Sequence, residues 1–263
     1  MSLLCLDVRN HHTEVGLFDA ASLDATTSVE PSAHWRVGSD AGRTADEWHV
    51  LLDGLLRGCE LEPVDGVVVS CTVPAVLAEV RAMLARRFAD LPQHVVGPGV
   101  RTGVRILTDN PREVGSDRVV NALAAATFHP GPAIVVDLGT ATTFDVVDAQ
   151  GAYVGGAIAP GVGISLDALA RGGAQLRAVE VARPRHVVAR NTVEAMQSGL
   201  VHGFAGLVDG IVTRMRDELA VDDLTVVATG RWASEVAGGC ATVTVHDPWL
   251  TLNGLRLVST LTI

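Results

Sequence analysis

Residues Ile134 to Thr143 read I-V-V-D-L-G-T-A-T-T. Ile134, Val135 and Val136 form a short apolar run in the middle of the chain, the pattern of a buried strand. The run ends in an acid, Asp137, followed by Gly139 and the hydroxyl residues Thr140, Thr142 and Thr143. Glycine there lets the backbone turn tightly and approach a ligand closely. The hydroxyls and the N–H groups of the turn offer donors to an anion. Asp137, at the tip of an apolar strand, suits a cation or a bound water. The plainer reading is a strand and a polar turn, with Asp137 in an ordinary side-chain-to-backbone bond, and D-x-G-T alone leaves both open.

A second acid-tipped strand changes the weighing. Leu3–Val8 is apolar, and Asp7 sits near its end in D-V-R-N-H-H-T, Asp7 to Thr13. One such strand opening each half of the chain suggests two similar domains facing each other across a cleft. A nucleoside triphosphate fits that arrangement, each hairpin touching phosphates from one side.

The bulk properties agree with this. The 263 residues are enough for one large domain or two moderate ones with their own cores. At 48% hydrophobic but only 4% aromatic, the core must be built from Val, Leu and Ala. Val-rich runs alternating with Ala/Leu-rich amphipathic runs point to α/β. A net charge of −10 argues against a nucleic-acid binder. It leaves room for a nucleotide held by local donors and a metal ion. Cys5, Cys59, Cys71 and Cys240 are scattered without metal spacing, so neither zinc nor a disulfide framework is expected. Cys5 and Cys71 read as small buried hydrophobes. There is no signal-peptide pattern and no run able to span a bilayer, so a soluble cytoplasmic protein is expected.

Further strands are expected at Glu14–Phe18, His34–Val37, Val67–Thr72 and His94–Val96. In the second half they are expected at Phe144–Val147, Tyr153–Ile158, Thr225–Ala228 and Val243–His246. Thr44 and Glu47 have capping-box spacing, opening a helix whose inner face is Trp48, Leu51, Leu52 and Leu55. Pro74 suits the first turn of a helix with Val76, Leu77, Val80, Leu84 and Phe88 inside. Helices are also expected over about Val119–Phe128, Gly161–Leu169 and Thr192–Leu219, and from Pro248 onward. Ala20–Ser32 reads as an exposed loop, and Asp209 as facing solvent or a helix partner. Arg101–Arg118 is dense in charge and turn residues without a lasting period, and such stretches are often functional.

With both hairpins and this segment in hand, the chain resembles type III pantothenate kinase, of the actin and sugar-kinase superfamily. D-V-R-N matches the first phosphate motif, D-N-P-R-E-V-G-S-D-R the pantothenate segment and D-L-G-T-A-T-T the second phosphate motif. G-G-A-I-A-P-G, N-T-V-E-A-M-Q-S-G, A-T-G at 228–230 and D-P-W-L-T-L-N-G-L look like further landmarks. The resemblance implies an α/β fold of two ribonuclease-H-like domains around a nucleotide cleft. The first would span 1–118, with the first phosphate motif and the pantothenate segment. The second would span 119–263, with the second phosphate motif and the adenosine motif.

It also implies roles. The turn Asp7, Val8, Arg9, Asn10, His11, His12, Thr13 and Glu14 would cradle the ATP phosphates and Mg²⁺. Gly115, Ser116, Asp117 and Arg118 would hold pantothenate, with Asp117 as general base. Asp137 would bind a monovalent cation, K⁺ or ammonium. Thr140 would touch ATP, Thr192 pantothenate, and Gly230 would sit near the adenosine. A homodimer is implied, with the pantothenate site completed by the neighbouring subunit. Ser116, Asp117 and Thr192 also sit where residues cap helices, and Asp109–Asn110–Pro111 reads equally as a turn.

The first motif departs from the family's usual D-x-G-N-T: Arg9 replaces the glycine and His11 the threonine. A guanidinium at position 9 can hold phosphate. The His11 ring either donates a hydrogen bond or blocks the site, and Glu14 adds negative charge close to a polyanion. Three functions follow: ATP-dependent phosphorylation of pantothenate, a weakly active or inactive homologue acting as a binding or regulatory accessory protein, and a kinase for another small alcohol.

Overall fold

The structure, a computed structural model, describes residues 2–59, 63–97, 100, 102–172 and 179–261. Arg101, the first residue of the segment singled out above, lies outside the described residues. The chain divides into two compact units, Met1–Phe128 with Trp249–Ile263, and His129–Pro248.

The first unit is built on β1 (Ser2–Val8), β2 (His12–Phe18), β3 (Ala33–Gly38), β4 (Val64–Cys71) and β5 (Gln93–Val96), in the order β3-β2-β1-β4-β5. The first three form an antiparallel meander, while β4 runs parallel to β1 and β5 parallel to β4. Strand β1 is apolar on both faces because both are covered. Leu4, Leu6 and Val8 point to one core, shared with Trp48 and Leu52 of α2 (Ala45–Arg57) and Val76, Val80 and Leu84 of α3 (Pro74–Arg87). Leu3 and Cys5 point the other way, to Val120 and Leu123 of α4 (Ser116–Phe128) and to Leu252, Leu255 and Val258 of the C-terminal helix, Leu250–Leu261. A short helix α1, Ala20–Leu23, precedes β3.

The local signals hold where a nearby partner enforces them. Thr44 Oγ1 accepts from Glu47 N while Glu47 Oε2 accepts from Thr44 N at 2.8 Å, closing the capping box. Trp48 is fully buried. Burying a large apolar side chain contributes roughly 1.5–3 kcal/mol, so Trp48 is explained by the core. Cys5 is likewise a buried hydrophobe, its thiol pKa pushed up by burial. Cys71 is only half-buried.

Three elements differ from expectation. Helix α4 starts at Ser116, not Val119, so Ser116 and Asp117 lie in its first turn. The C-terminal helix starts at Leu250, two residues beyond Pro248, and packs on the first unit, because its apolar face shares a core with β1 and α4. The division between the units accordingly falls after Phe128, ten residues beyond Arg118. Residues 20–32 are exposed or half-buried apart from Pro31, but they begin with a short helix and are tethered. The guanidinium of Arg256, 1% exposed, donates to the carbonyls of Ser22, Leu23, Ala25 and Thr27, at 2.9–3.1 Å.

The second unit repeats the plan. Its strands are β6 (Ala133–Leu138), β7 (Ala141–Val147), β8 (Tyr153–Pro160), β9 (Thr225–Thr229) and β10 (Val245–His246), in the order β10-β9-β6-β7-β8. Counted from its central strand, this is the order of the first sheet, with the same directions. Two sheets of this α/β plan are the ribonuclease-H-like pair that the resemblance implies. Ile134, Val136, Leu138 and Phe144 share a core with α5 (Val162–Gly172), α6 (Thr192–Leu219) and α7 (Ala233–Val236). Asp209 of α6 is half-buried, and its partner is the 241–242 segment rather than a helix. Its carboxylate accepts from Ala241 N and Thr242 N, both at 2.9 Å, and from Thr242 Oγ1 at 2.7 Å. Burial pushes its pKa up, but these hydrogen bonds outweigh burial and hold it below the usual carboxylate value. Among the described residues no helix is long and apolar enough to cross a membrane.

Candidate active site

In the first unit, Asp7 is the next residue after Leu3 and Cys5 in the row facing α4. It lies opposite Glu14 on β2 and Ser70 on β4 and is 1% exposed. A buried carboxylate needs a cation or several donors, since desolvating a lone charge costs several kcal/mol. Arg9 supplies one: its Nε donates to Asp7 Oδ2 at 2.5 Å, and its Nη2 donates to Thr251 Oγ1 at 3.1 Å. The turn itself, residues 9–11, is closed by Arg9 N donating to the carbonyl of His12 at 3.0 Å. Asn10 and His11 are exposed at its tip. Ser39 N donates to the His11 carbonyl at 3.0 Å, anchoring the tip to the end of β3.

Other members of the motif turn elsewhere. Val8 is in the core, and Thr13, opposite Val8, puts its hydroxyl 2.9 Å from Ser39 Oγ. Both side chains are thus engaged within the fold. Glu14, read from the sequence as added negative charge beside a polyanion, is ion-paired with Arg36, its neighbour on β3. That pairing offsets the charge.

The start of α4 stands beside the same strand ends. Ser116 Oγ lies 2.9 Å from Ser70 Oγ, and Ser70 is the β4 neighbour of Asp7. Asp117, one residue on, accepts from Arg118 N through Oδ1 at 2.9 Å, and a helix's first turn favours a negative charge. Gly115 backs onto this carboxylate so closely that a Cβ there would lie 2.5 Å from Asp117 Oδ1. Arg118 is half-buried. Ahead of it, Pro111–Glu113 form a single 3₁₀ turn, with Asn110 Nδ2 donating to Glu113 Oε1 at 2.6 Å. Asp7, Ser70, Ser116 and Asp117 thus collect at the carboxyl ends of β1 and β4, where open α/β sheets bind ligands.

In the second unit, Asp137 lies opposite Thr143 on β7 and Thr229 on β9, and is 3% exposed. The two-residue turn Gly139–Thr140 is closed by Gly139 N donating to the carbonyl of Ala141 at 3.0 Å. Gly230 has φ +91°, and a Cβ on it would sit 2.2 Å from Asp137 Oδ1. Only glycine brings the backbone after β9 this near the acid. Of the three threonines read as ligand donors, two serve the fold. Thr142 donates to the carbonyl of Pro160 at 3.1 Å, and Thr143 donates to Asp145 Oδ2 at 3.1 Å. Thr140, at the tip, is half-buried. Thr192 is the exposed first residue of α6, which Asn191 caps by accepting from Glu194 N at 2.9 Å.

Among the described residues there is no group of three or more His, Cys, Asp or Glu that could hold a metal. Asp7, Asp117 and Asp137, among the described residues, belong to no such group. That suits Mg²⁺, which is commonly held by one or two carboxylates together with substrate phosphates. Asn121 and Thr251, linked to Arg9 by hydrogen bonds, are polar side chains by this site that sequence reading did not single out. Thr251 stands inside D-P-W-L-T-L-N-G-L, a stretch noted without a role, and Asn121 is a polar residue on the inner side of α4, where burial of a side-chain amide is itself the signal.

The family model of type III pantothenate kinase matches residues 3–214. A type III pantothenate kinase of Thermobifida fusca is 56% identical over 260 residues, covering 97% of this chain and 98% of its own. One of Nocardioides sp. is 57% identical over 261 residues, covering 98% of both. Among solved structures, a putative N-acetylmannosamine kinase from Listeria monocytogenes superposes with TM-score 0.54 at 11% identity, over 99% of each chain. This last likeness bears on the fold alone.

Proposed function

The chain belongs to the type III pantothenate kinase family, and on that premise we propose how its residues divide the work of phosphorylating pantothenate with ATP, the entry to coenzyme A. The alcohol to be phosphorylated is a weak nucleophile, and a carboxylate within reach of its proton raises its reactivity. Asp117 takes that proton. Gly115, Ser116 and Arg118 orient pantothenate, Arg118 through the two-pronged fit of guanidinium to carboxylate, and Thr192 adds a hydroxyl contact. Phosphoryl transfer otherwise asks for alignment and neutralisation of charge. The backbone from Asp7 through Glu14 and the side chains at its tip hold the ATP phosphates, Thr140 contacts ATP, and Gly230 lies by the adenosine.

The residues present fit the ions the reaction uses. Asp7 is a buried hard-oxygen donor at a strand end, as a divalent cation bound to nucleotide phosphates requires. Asp137, enclosed by the backbone at Gly230 and flanked by Thr229, fits a monovalent cation, K⁺ or ammonium. When bound, these ions offset negative charge on the phosphate oxygens. We place the enzyme in the cytoplasm as a homodimer, with the pantothenate site near the subunit interface.

One observation carries this reading: Ser116 Oγ, 2.9 Å from Ser70 Oγ, ties the helix that bears Asp117 to the strand beside Asp7. The family match favours neither an accessory protein nor another alcohol. The test is a coupled ADP-release assay with and without pantothenate, Mg²⁺ and K⁺. Release should need pantothenate and Mg²⁺ and should rise with K⁺ or ammonium but not Na⁺. Release indifferent to pantothenate would overturn the function, and release indifferent to K⁺ would remove the role given to Asp137.

A further inference from the structure

We propose that Asn121, Thr251 and Arg9 form a positioning chain that sets the carboxylate of Asp7 from the C-terminal helix, a role that rests on Asp7 serving the phosphates. The chain is continuous. Thr251 Oγ1 donates to Asn121 Oδ1 at 2.7 Å, Arg9 Nη2 donates to Thr251 Oγ1 at 3.1 Å, and Arg9 Nε donates to Asp7 Oδ2 at 2.5 Å. Asn121 is fully buried, Thr251 is 8% exposed and Asp7 is 1% exposed, so water does not scramble the pattern.

Chemistry fixes the direction of every link. Oδ1 of an asparagine only accepts, so the single hydrogen of the Thr251 hydroxyl is committed to it and the hydroxyl's lone pairs are left for Arg9. A guanidinium is a rigid planar fork. Holding Nη2 at Thr251 therefore aims Nε, and Nε holds one oxygen of Asp7. A lysine at position 9 has no second donor in fixed geometry and could not transmit this.

The far end of the chain is its anchor. Asn121 follows Asp117 by four residues on α4, and positions four apart share a helix face. The helix that carries the proposed base and the turn that carries the phosphate-side acid are thus fastened to one residue, Thr251, far from both in sequence. Arg9 replaces the family's usual glycine, and in this chain it is a positioning residue for Asp7 rather than a free hand for phosphate.

Thr251→Val keeps the side-chain shape and removes the hydroxyl, while Thr251→Ser restores it. The measurements are ATP–Mg²⁺ binding by calorimetry, KM for ATP and for pantothenate, and melting temperature, with wild-type pantothenate turnover as control. The valine variant should weaken ATP binding and raise KM for ATP about tenfold, roughly what one hydrogen bond to a charged group is worth. KM for pantothenate should stay within about twofold, and serine should restore ATP binding. Unchanged ATP binding in an active background overturns the chain and leaves the kinase reading standing. Equal rises in both KM values with a lowered melting temperature also overturn it, in favour of a merely structural threonine. Weakened, serine-rescued ATP binding in a wild type that does not turn over pantothenate would support the chain and sink the kinase reading instead.

Discussion

Asp7 and Asp137 hold the same place in two sheets of one strand order, each the second-to-last residue of its central strand, yet their turns are made differently. Two residues past the acid, the first turn has Arg9 and the second has Gly139. Each of these donates its N–H to close its turn, to His12 and Ala141 respectively. Beyond that they diverge. In the first unit the acid is gripped by a side chain of its own turn, which is in turn set by Thr251. In the second the acid is enclosed by backbone, with Gly230 pressed against it. One plan therefore yields an acid that holds a guanidinium of its own turn and another against which a glycine backbone closes. On the division of labour proposed above, the first would serve a multiply charged phosphate with a divalent ion, and the second a singly charged ion and a nucleoside.

The comparison gives breakable predictions. The largest concerns Asp117, in the first turn of α4. Asp117→Asn should cut pantothenate turnover by at least about 10²-fold, on the usual scale for a general base, with an unchanged melting curve. Next, Gly230→Ala forces a Cβ to 2.2 Å from Asp137 Oδ1 at a φ of +91°. Strain of this kind costs about 1–3 kcal/mol, so melting should fall and the response to K⁺ should be lost. The same change at Gly38, where a Cβ would meet nothing within 4 Å, should do neither. In the first unit, Arg256→Met removes the guanidinium donor from the half-buried carbonyls of Leu23 and Ala25, while that of Ser22 keeps Ala25 N and that of Thr27 is exposed to water. A buried group left unsatisfied costs about 1–3 kcal/mol, and these are only partly buried, so denaturant unfolding should show a loss of about 1–2 kcal/mol.

The smallest effect belongs to Asp209 in the second unit. Its pKa is lower folded than unfolded, so its contribution is fully present above the ordinary carboxylate value near 3.8 and is lost as pH falls through the lower folded value. Asp209→Asn should lower melting at neutral pH by roughly 2–4 °C, about 1 kcal/mol in a chain of this size. The difference from wild type should shrink at the acid end of the range, and a gap that stays constant down to pH 2 would count against this assignment.

Much of this was readable in the residues. Both acid-tipped strands, the Thr44–Glu47 box and the Trp48 face depend on neighbours within one turn or one hairpin, and local patterns report local partners. The long-range pieces were not. Arg9 and Thr251 are 242 positions apart, so nothing near Arg9 signals that it is already engaged. The C-terminal helix follows the second sheet in sequence but shares its apolar face with β1 and α4, and periodicity says that a face is buried without saying against what. The start of α4 lies earlier than the sequence suggests because Ser116 and Asp117 read as residues that precede and cap a helix, whereas they lie within its first turn. Thr142 and Thr143 look like ligand donors until the partners Pro160 and Asp145 are located. The role of Glu14 likewise needed the register that sets it against Arg36.

The most direct test of this division of labour is one ADP-release titration, with Mg²⁺ and then K⁺, of wild type, Asp7→Asn and Asp137→Asn. The account predicts that the first variant shifts the Mg²⁺ dependence while still responding to K⁺, and that the second loses its K⁺ response while its Mg²⁺ midpoint stays put. Identical ion responses in the two variants would contradict it.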